Sequence, residues 1–113
     1  MKAYHYSDVP AEPAEGMEGA RIRWAIGKNV DAPRFVTRII ELDPGAETSY
    51  HSHAWEHEVV VLDGTGQVRD SSGSEPLSPG TCVYVEPGEE HQFMNTGQAL
   101  LRFVCVIPYP DAL

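Results

Sequence analysis

The chain consists of short apolar runs that are separated by turn residues, and several runs alternate between polar and apolar positions. Segment 21–26 alternates charged and apolar side chains over its first four residues, and segment 34–42 is rich in β-branched and aromatic residues. Both patterns are typical of strands that bury one face. Further strands are predicted at 48–53, 57–62, 67–69, 81–85, 91–94 and 99–107.

Turn residues punctuate these strands. Combinations of Gly, Pro, Asn, Asp and Ser occur at 43–45, 63–66, 71–73, 78–80, 86–88 and 95–97. Short strands that recur every ~8–12 residues with turns between them predict an all-β sandwich or barrel. Pro10 and Pro13 interrupt any helix near the amino terminus. We therefore expect an irregular arm over 1–20 and one β-barrel domain over 21–113.

Composition and charge limit the possible partners. The 113 residues include 17 acidic and 8 basic side chains, which give a formal net charge of −9. This charge argues against binding to nucleic acid or to an anionic membrane, since both would repel the protein. No apolar run approaches the ~20 residues of a membrane span, and the first residues lack a signal-peptide core. A cytoplasmic protein is the expectation.

The two cysteines, Cys82 and Cys105, each lie in an apolar, strand-like run. They could form at most one internal disulfide. Free thiols that are buried in a reducing compartment are the expected state for both.

Histidines supply the candidate chemistry. Three of the five histidines are His51, His53 and His57, and the spacing of the first two places both rings on one face of a strand. His91 follows a tight turn and could return beside them on a second hairpin. Neutral imidazoles suit Mn(II), Fe(II), Ni(II), Cu(II) and Zn(II), whereas a structural zinc site would more usually recruit thiolates. His5 lies outside this group and is expected at the surface.

Two spaced motifs around these histidines resemble those of the cupin family. The first motif is Gly45-x5-His51-x-His53-x3-His57-x6-Gly64. The second is Gly80-x5-Glu86-x-Gly88-x2-His91-x3-Asn95. The resemblance implies a jelly-roll β-barrel with one divalent transition metal inside, held by His51, His53, His57 and His91.

The chain departs from the family pattern at two positions. His57 stands where a glutamate is usual, and the proline of the second motif lies one place later, at Pro87. Glu58 could replace His57 as the ligand if the loop shifted by one residue, but the six-residue gap to Gly64 favours His57. The small bacterial cupins with four-histidine sites are the most similar group, and they are typically homodimeric and often hold manganese.

The resemblance leaves three functions open. A four-histidine metal would carry more positive charge than a site with three histidines and one glutamate, and an octahedral ion would have two open positions. Manganese is the favoured metal, with iron, copper, nickel or zinc as alternatives. A metal-dependent oxygenase that acts on a small organic substrate is the preferred function. A non-redox isomerase, lyase or cyclase, or a binding module without turnover, are the alternatives.

The sequence identifies no catalytic residue. Phe93, Phe103 and Cys105 are candidates for lining the cavity, although Cys105 could equally be an inert core thiol. Arg38 and Arg102 could bind an anionic substrate, but an exterior or interface position is the expectation for both.

Overall fold

The computed structural model describes residues 1–109, which form an almost entirely β structure. Helical structure within this range is limited to two three-residue 3-10 turns, at Tyr6–Asp8 and Lys28–Val30. The strands are β1 Glu12–Pro13, β2 Ala20–Ile26, β3 Phe35–Leu42, β4 His57–Asp63, β5 Gly66–Asp70, β6 Gly73–Leu77, β7 Cys82–Val85, β8 Gln92–Met94 and β9 Leu101–Pro108. No helix of the described part is long and apolar enough to cross a membrane.

Six strands form the larger sheet, in the order β1-β2-β3-β9-β4-β7. Strand β9 lies between β3 and β4, and its residues alternate between buried and half-buried along its whole length. The buried positions of β9 include Phe103 and Cys105, which point to the same face because side chains alternate along a strand. This inner face carries the core and, at one end, the histidines.

The remaining strands form a smaller sheet in the order β6-β5-β8, and its apolar face packs on the larger sheet. Phe93 on β8 stacks on Phe103 on β9, with ring centroids 4.8 Å apart. Leu77 on β6 is fully buried in the same core. Two sheets that share one core give the jelly-roll β-barrel that the sequence predicts, so the all-β prediction is confirmed.

The outer face of the larger sheet holds an ionic cluster around Glu41, whose side chain is 5% exposed. Arg21 and Arg102 are its cross-strand neighbours on β2 and β9. The Arg102 Nε atom lies 3.0 Å from Glu41, and its Nη1 atom lies 2.6 Å from Asp63. Arg102 therefore has the exterior, structural position that the sequence analysis expected.

One predicted strand was wrong, and two strands, β1 and β6, were not predicted. Segment 48–53 is not a regular strand, because it contains one isolated bridge, His51–His91, and one further backbone hydrogen bond, from Thr48 N to Phe93 O. Strand β6, Gly73–Leu77, was not predicted, since its Gly, Ser, Glu and Pro residues carry little β signal and four of its five positions are exposed. Backbone pairing with β5, rather than burial, makes it a strand.

The cysteines and the arm also differ in part from expectation. Both cysteines are free and Cys105 is buried as predicted, but Cys82 at the start of β7 is exposed. In the amino-terminal segment, Ala14 is buried in the core and Met17 packs against it. The boundary between arm and barrel at residue 20 stays a prediction.

Candidate metal centre

A cavity of about 190 Å³ opens at one end of the barrel, and the histidines line it. Its walls come from both sheets and from the amino-terminal segment, and they are mainly apolar. The lining residues include four histidines, three aromatic side chains, one thiol and one arginine: His51, His53, His57, His91, Trp55, Phe93, Phe103, Cys105 and Arg38. Phe93, Phe103 and Cys105 were the cavity candidates of the sequence analysis, and all three are here.

His51 and His91 are brought together by the backbone. The two residues form an antiparallel bridge in which His51 N donates to His91 O at 3.2 Å and His91 N donates to His51 O at 3.0 Å. Their ring centroids lie 4.9 Å apart. The irregular segment 48–53 therefore places His51 correctly although it is not a strand.

His53 and His57 approach each other most closely. The two Nε2 atoms lie 2.5 Å apart, and the ring centroids are separated by 4.3 Å. His57 begins β4 at a buried position, whereas the next residue, Glu58, is exposed. Since adjacent side chains of a strand point to opposite faces, Glu58 cannot share this cavity with His57.

The ligating nitrogens of three of the histidines form a compact group. Those of His51, His53 and His91 all lie within 4.8 Å of one another, which is the spacing of a group that can hold one metal ion. His57 lies outside this trio by that measure, although it touches His53 and its ring centroid is 5.1 Å from that of His91. The structure therefore brings three predicted ligands together and places the fourth beside them.

Each histidine ring is held at its Nδ1 atom. Backbone carbonyl oxygens lie at hydrogen-bonding distance from the Nδ1 atoms of three rings. The distance from His51 Nδ1 to Ser49 O is 2.6 Å, from His53 Nδ1 to Trp55 O 3.0 Å, and from His91 Nδ1 to Glu89 O 2.8 Å. A carbonyl oxygen can only accept, so each of these Nδ1 atoms donates its N–H. A neutral ring that carries its proton on Nδ1 leaves Nε2 with a free lone pair.

His57 is held by a side chain instead. Its Nδ1 atom lies 2.9 Å from the Cys105 Sγ atom, which also accepts a hydrogen bond from Arg38 Nη2 at 3.0 Å. Two facing lone pairs would repel each other, and His53 already uses its proton at Nδ1. The contact between the two Nε2 atoms is therefore compatible with one proton, or one metal ion, shared between them, and the Cys105 thiol can donate to His57 Nδ1 when the ring carries its proton on Nε2.

Burial disfavours the charged form of three of these rings, those of His53, His57 and His91. It is the main cause that lowers the pKa of His57 from 6.5 to about 2, with smaller contributions from the charge of Arg38 and from the other histidines. Burial also lowers the pKa of His53 and of His91, against opposing backbone hydrogen bonds. The pKa of the Cys105 thiol is raised by its burial. The cavity therefore presents neutral imidazoles, which is the form that binds metals.

The donor set fits a divalent transition metal. All the candidate ligands are imidazole nitrogens. Those of His51, His53 and His91 lie within 4.8 Å of one another, and the Nδ1 atoms of these three rings are fixed by backbone acceptors, as ligating histidines require. None of the described residues that line the cavity is acidic. Such a set suits borderline ions such as Mn, Fe, Cu, Ni or Zn and suits Ca or Mg poorly.

The position of Arg38 corrects the sequence analysis. Arg38 lines the cavity instead of facing outward, and it is the cross-strand partner of Cys105. Its neighbours at alternate positions, Val36 and Ile40, are both core residues. Alternation along β3 was the signal that could have placed Arg38 in the cavity. Ile39 on the opposite face is also apolar, so the sequence does not show which face of the strand is the inner one.

Trp55 was not predicted as a site residue. Its ring stacks on His53 with centroids 4.3 Å apart and an interplanar angle of 6°. Its backbone carbonyl also holds His53 Nδ1. The one available signal was its place between two candidate ligands. His5 is exposed at the far end of the chain, as predicted.

Known proteins share this architecture. The polyketide cyclase RemF from Streptomyces resistomycificus has a TM-score of 0.89 at 33% sequence identity, over 96% of this chain and 79% of its own. An oxalate-binding protein of Thermotoga maritima is 33% identical over 69 residues, which are 60% of this chain and 57% of that protein. An (R)-mandelonitrile lyase of Granulicella tundricola is 34% identical over 53 residues, 46% of this chain and 40% of the lyase. The chain thus spans less than two thirds of the length of the oxalate-binding protein and of the lyase.

A family model described as a cupin domain (Cupin_2) matches residues 38–107. The matched span is more than half of the chain, and it contains all four histidines of the cavity as well as Arg38 and Cys105. The sequence motifs, the jelly-roll barrel and this match agree, and the chain belongs to the cupin family.

Proposed function

We propose that this protein binds one divalent transition metal through His51, His53, His57 and His91, and that it uses the metal as a Lewis acid on a small organic substrate. The substrate class is a carbonyl compound or its enol, which gains negative charge on oxygen as it reacts. Manganese is the preferred metal.

The observation that carries the proposal is the way in which the rings are held. Three Nδ1 atoms donate to backbone carbonyls, so three Nε2 lone pairs are free, and the candidate ligand nitrogens of these rings lie within 4.8 Å of one another. The Nε2 atom of His57 lies 2.5 Å from that of His53, so a metal ion bound to His53 would have the His57 ring beside it as a fourth ligand. His57 would then carry its proton on Nδ1, where the Cys105 sulfur accepts it.

The surroundings favour Lewis-acid chemistry. A bound divalent metal would polarise a substrate oxygen, and four neutral ligands would leave its charge uncompensated. Since no acidic side chain lines the described cavity, no carboxylate is there to act as a general base. The apolar walls restrict water, which strengthens electrostatic interactions inside the cavity. The names of two relatives, a polyketide cyclase and a mandelonitrile lyase, support a non-redox reaction of this kind.

Metal content and affinity test the proposal. Protein purified without added metal should contain about one transition-metal ion per chain by elemental analysis. Calorimetric titration of the chelator-treated protein with Mn(II) and Zn(II) should give one site, and His53→Ala or His91→Ala should weaken it at least ~100-fold. His5→Ala is the matched control, because His5 is exposed and remote from the cavity motifs. Unchanged affinity in the two site variants would refute the proposal.

His57 needs a separate test, because it lies outside the tightest trio. His57→Ala should weaken metal binding, and Glu58→Ala should leave it unchanged since Glu58 is exposed. The reverse result would make Glu58 the fourth ligand.

The oxygenase reaction stays a prediction with the same ligand set. Metal-loaded protein that consumes dioxygen in step with substrate would support it over the Lewis-acid reaction. Turnover that is equally fast without oxygen would exclude it.

A homodimer also stays a prediction. Phe35, Val60 and Tyr84 are exposed apolar residues of the larger sheet, and a second copy could cover them. Light scattering coupled to size-exclusion chromatography would measure the molecular mass in solution, which should be twice the 12.5 kDa of one chain if the protein is a homodimer.

A further inference from the structure

The cavity contains a permanent positive charge that the metal proposal does not use. Arg38 lines the cavity from β3, and its Nη2 atom donates to the Cys105 sulfur at 3.0 Å. Its Nε atom is buried and has no hydrogen-bond partner within the described chain. The guanidinium is therefore incompletely satisfied, although it stays charged at any physiological pH.

No acidic side chain neutralises this charge among residues 1–109. Glu41, the carboxylate nearest to Arg38 in sequence, lies on the outer face and pairs with Arg21, Arg23 and Arg102 instead. Burial of an unpaired charge is costly, so natural proteins pair such charges or use them for binding. The bound metal would add to the excess positive charge, and an anion from solution would offset both.

We propose that Arg38 is the anion-binding residue of the cavity and that the ligand is a small organic anion, a carboxylate or an enolate, with an apolar body. Its anionic group would lie beside the Arg38 guanidinium. Its body would pack against Ile22, Ile40 and Phe103, which line the same cavity. This inference deepens the proposed function by naming the charge of the substrate, and it can be tested without metal.

The geometry suits this role. The planar guanidinium can bind a carboxylate through two parallel hydrogen bonds, which lysine cannot do. Two contacts already hold the group in place, the sulfur of Cys105 and the face of Trp24, whose centroid is 5.7 Å from Arg38 Cζ. A guanidinium that is fixed in advance loses little side-chain entropy when a ligand binds.

The size of the cavity limits the ligand. Its volume of about 190 Å³ is below the range of ~300–1,000 Å³ that holds drug-sized molecules. A single aromatic ring or a short chain that bears one anionic group is therefore the expected size.

Benzoate and benzamide are suitable probes, since they share size and shape and differ in charge. Their affinities should be measured by calorimetry for the chelator-treated protein and for the Mn(II)-loaded protein. Both forms should bind benzoate at least ~10-fold more tightly than benzamide. Arg38→Met should remove this preference in the metal-free form and should leave benzamide affinity within about twofold.

Two further variants separate charge from structure. Arg38→Gln keeps a donor for Cys105 and removes the charge, so it should lose benzoate binding as Arg38→Met does. Arg34→Met removes one positive charge from an exposed position and should change nothing. A structural role alone would lower the melting temperature of the Arg38 variants without changing the ratio of the two affinities.

The outcomes distinguish the two proposals. Equal affinity of wild type for the two probes, or benzoate binding by Arg38→Gln at the wild-type level, would overturn the role of Arg38 and leave metal binding intact. If wild type binds no metal but metal-free protein prefers benzoate through Arg38, the anion site stands and the metal proposal fails.

Discussion

Acidification should lower the free energy of unfolding of the metal-free protein, and protonation of His57 in the unfolded chain should account for a calculable part of that decrease. Its pKa falls from 6.5 to about 2 in the folded chain, mainly because the ring is buried. Between these values the unfolded chain takes up a proton at this position and the folded chain does not. The stabilisation is therefore complete above pH ~6.5 and is lost as the pH falls toward ~2.

The magnitude follows from this difference in pKa. At pH 5 the unfolded ring is ~1.5 pH units below its pKa while the folded ring stays neutral. Each unit corresponds to ~1.4 kcal/mol, so His57 alone should lower the free energy of unfolding by ~2 kcal/mol between pH 7 and pH 5. His53 and His91 have pKa values lowered in the same direction and should add to this loss.

Urea unfolding in the presence of a chelator, at pH 7, 6 and 5, measures the effect. His57→Gln should lose ~2 kcal/mol less stability than wild type over this range, because glutamine does not titrate. His5→Gln should retain the wild-type dependence, since His5 is exposed. If His57→Gln and wild type lost the same free energy, His57 would be protonated in the folded state, and the neutral ring that metal binding requires would be refuted.

Three other substitutions test the contacts described above. Cys105→Ala should weaken Mn(II) binding ~10-fold in a calorimetric titration, because the histidine beside it loses the acceptor for Nδ1–H, whereas Cys105→Ser should retain most of the affinity. Glu41→Gln should lower the free energy of unfolding in urea by ~2–3 kcal/mol, because the buried carboxylate that three guanidinium groups share loses its charge. Gly64→Ala should cost at least ~2 kcal/mol, because φ is +85° and the new Cβ would overlap the Leu100 carbonyl oxygen.

Each of these has a control and a contrary result. Equal metal affinities of Cys105→Ala and wild type would show that the thiol does not hold the ring. Glu75→Gln removes an exposed carboxylate and should leave the free energy of unfolding unchanged. If it lowered stability as much as Glu41→Gln does, the effect would come from the change in net charge and not from the ionic cluster. Gly45→Ala has a similar φ of +83° with open space around the new Cβ, and it should cost only ~1 kcal/mol.

Much of the fold could be predicted because its strands alternate clearly and its turns carry Gly and Pro. Strands β3, β4 and β9 match their predicted ranges to within two residues at each end. Segment 48–53 was misassigned because the spacing of His51 and His53 suggested one face of a strand, whereas the segment has no continuous partner strand. Strand β6 was not predicted because four of its five residues are exposed, so its sequence shows no hydrophobic periodicity.

The candidate site was predictable as far as its histidines, because their spacing is specific. The rest of the cavity was not. The location of the Arg38 side chain depends on which face of β3 is the inner one, and both faces of that strand contain apolar residues. The link from Arg38 through Cys105 to His57 joins three strands that are far apart in sequence, so only the register of the sheet reveals it.

The backbone acceptors of the histidine rings have a consequence for sequence tolerance. The carbonyls of Ser49 and Glu89 hold His51 and His91, and a carbonyl stays in place whatever side chain its residue carries. Position 49, which is exposed, should therefore accept many substitutions in a saturation library selected for metal retention, whereas the Glu89 side chain also accepts a hydrogen bond from Glu86 N. Position 105 holds His57 with its side chain and should accept few. Three of the four candidate metal ligands are thus oriented by main-chain carbonyls, and the fourth is oriented by the side chain of Cys105.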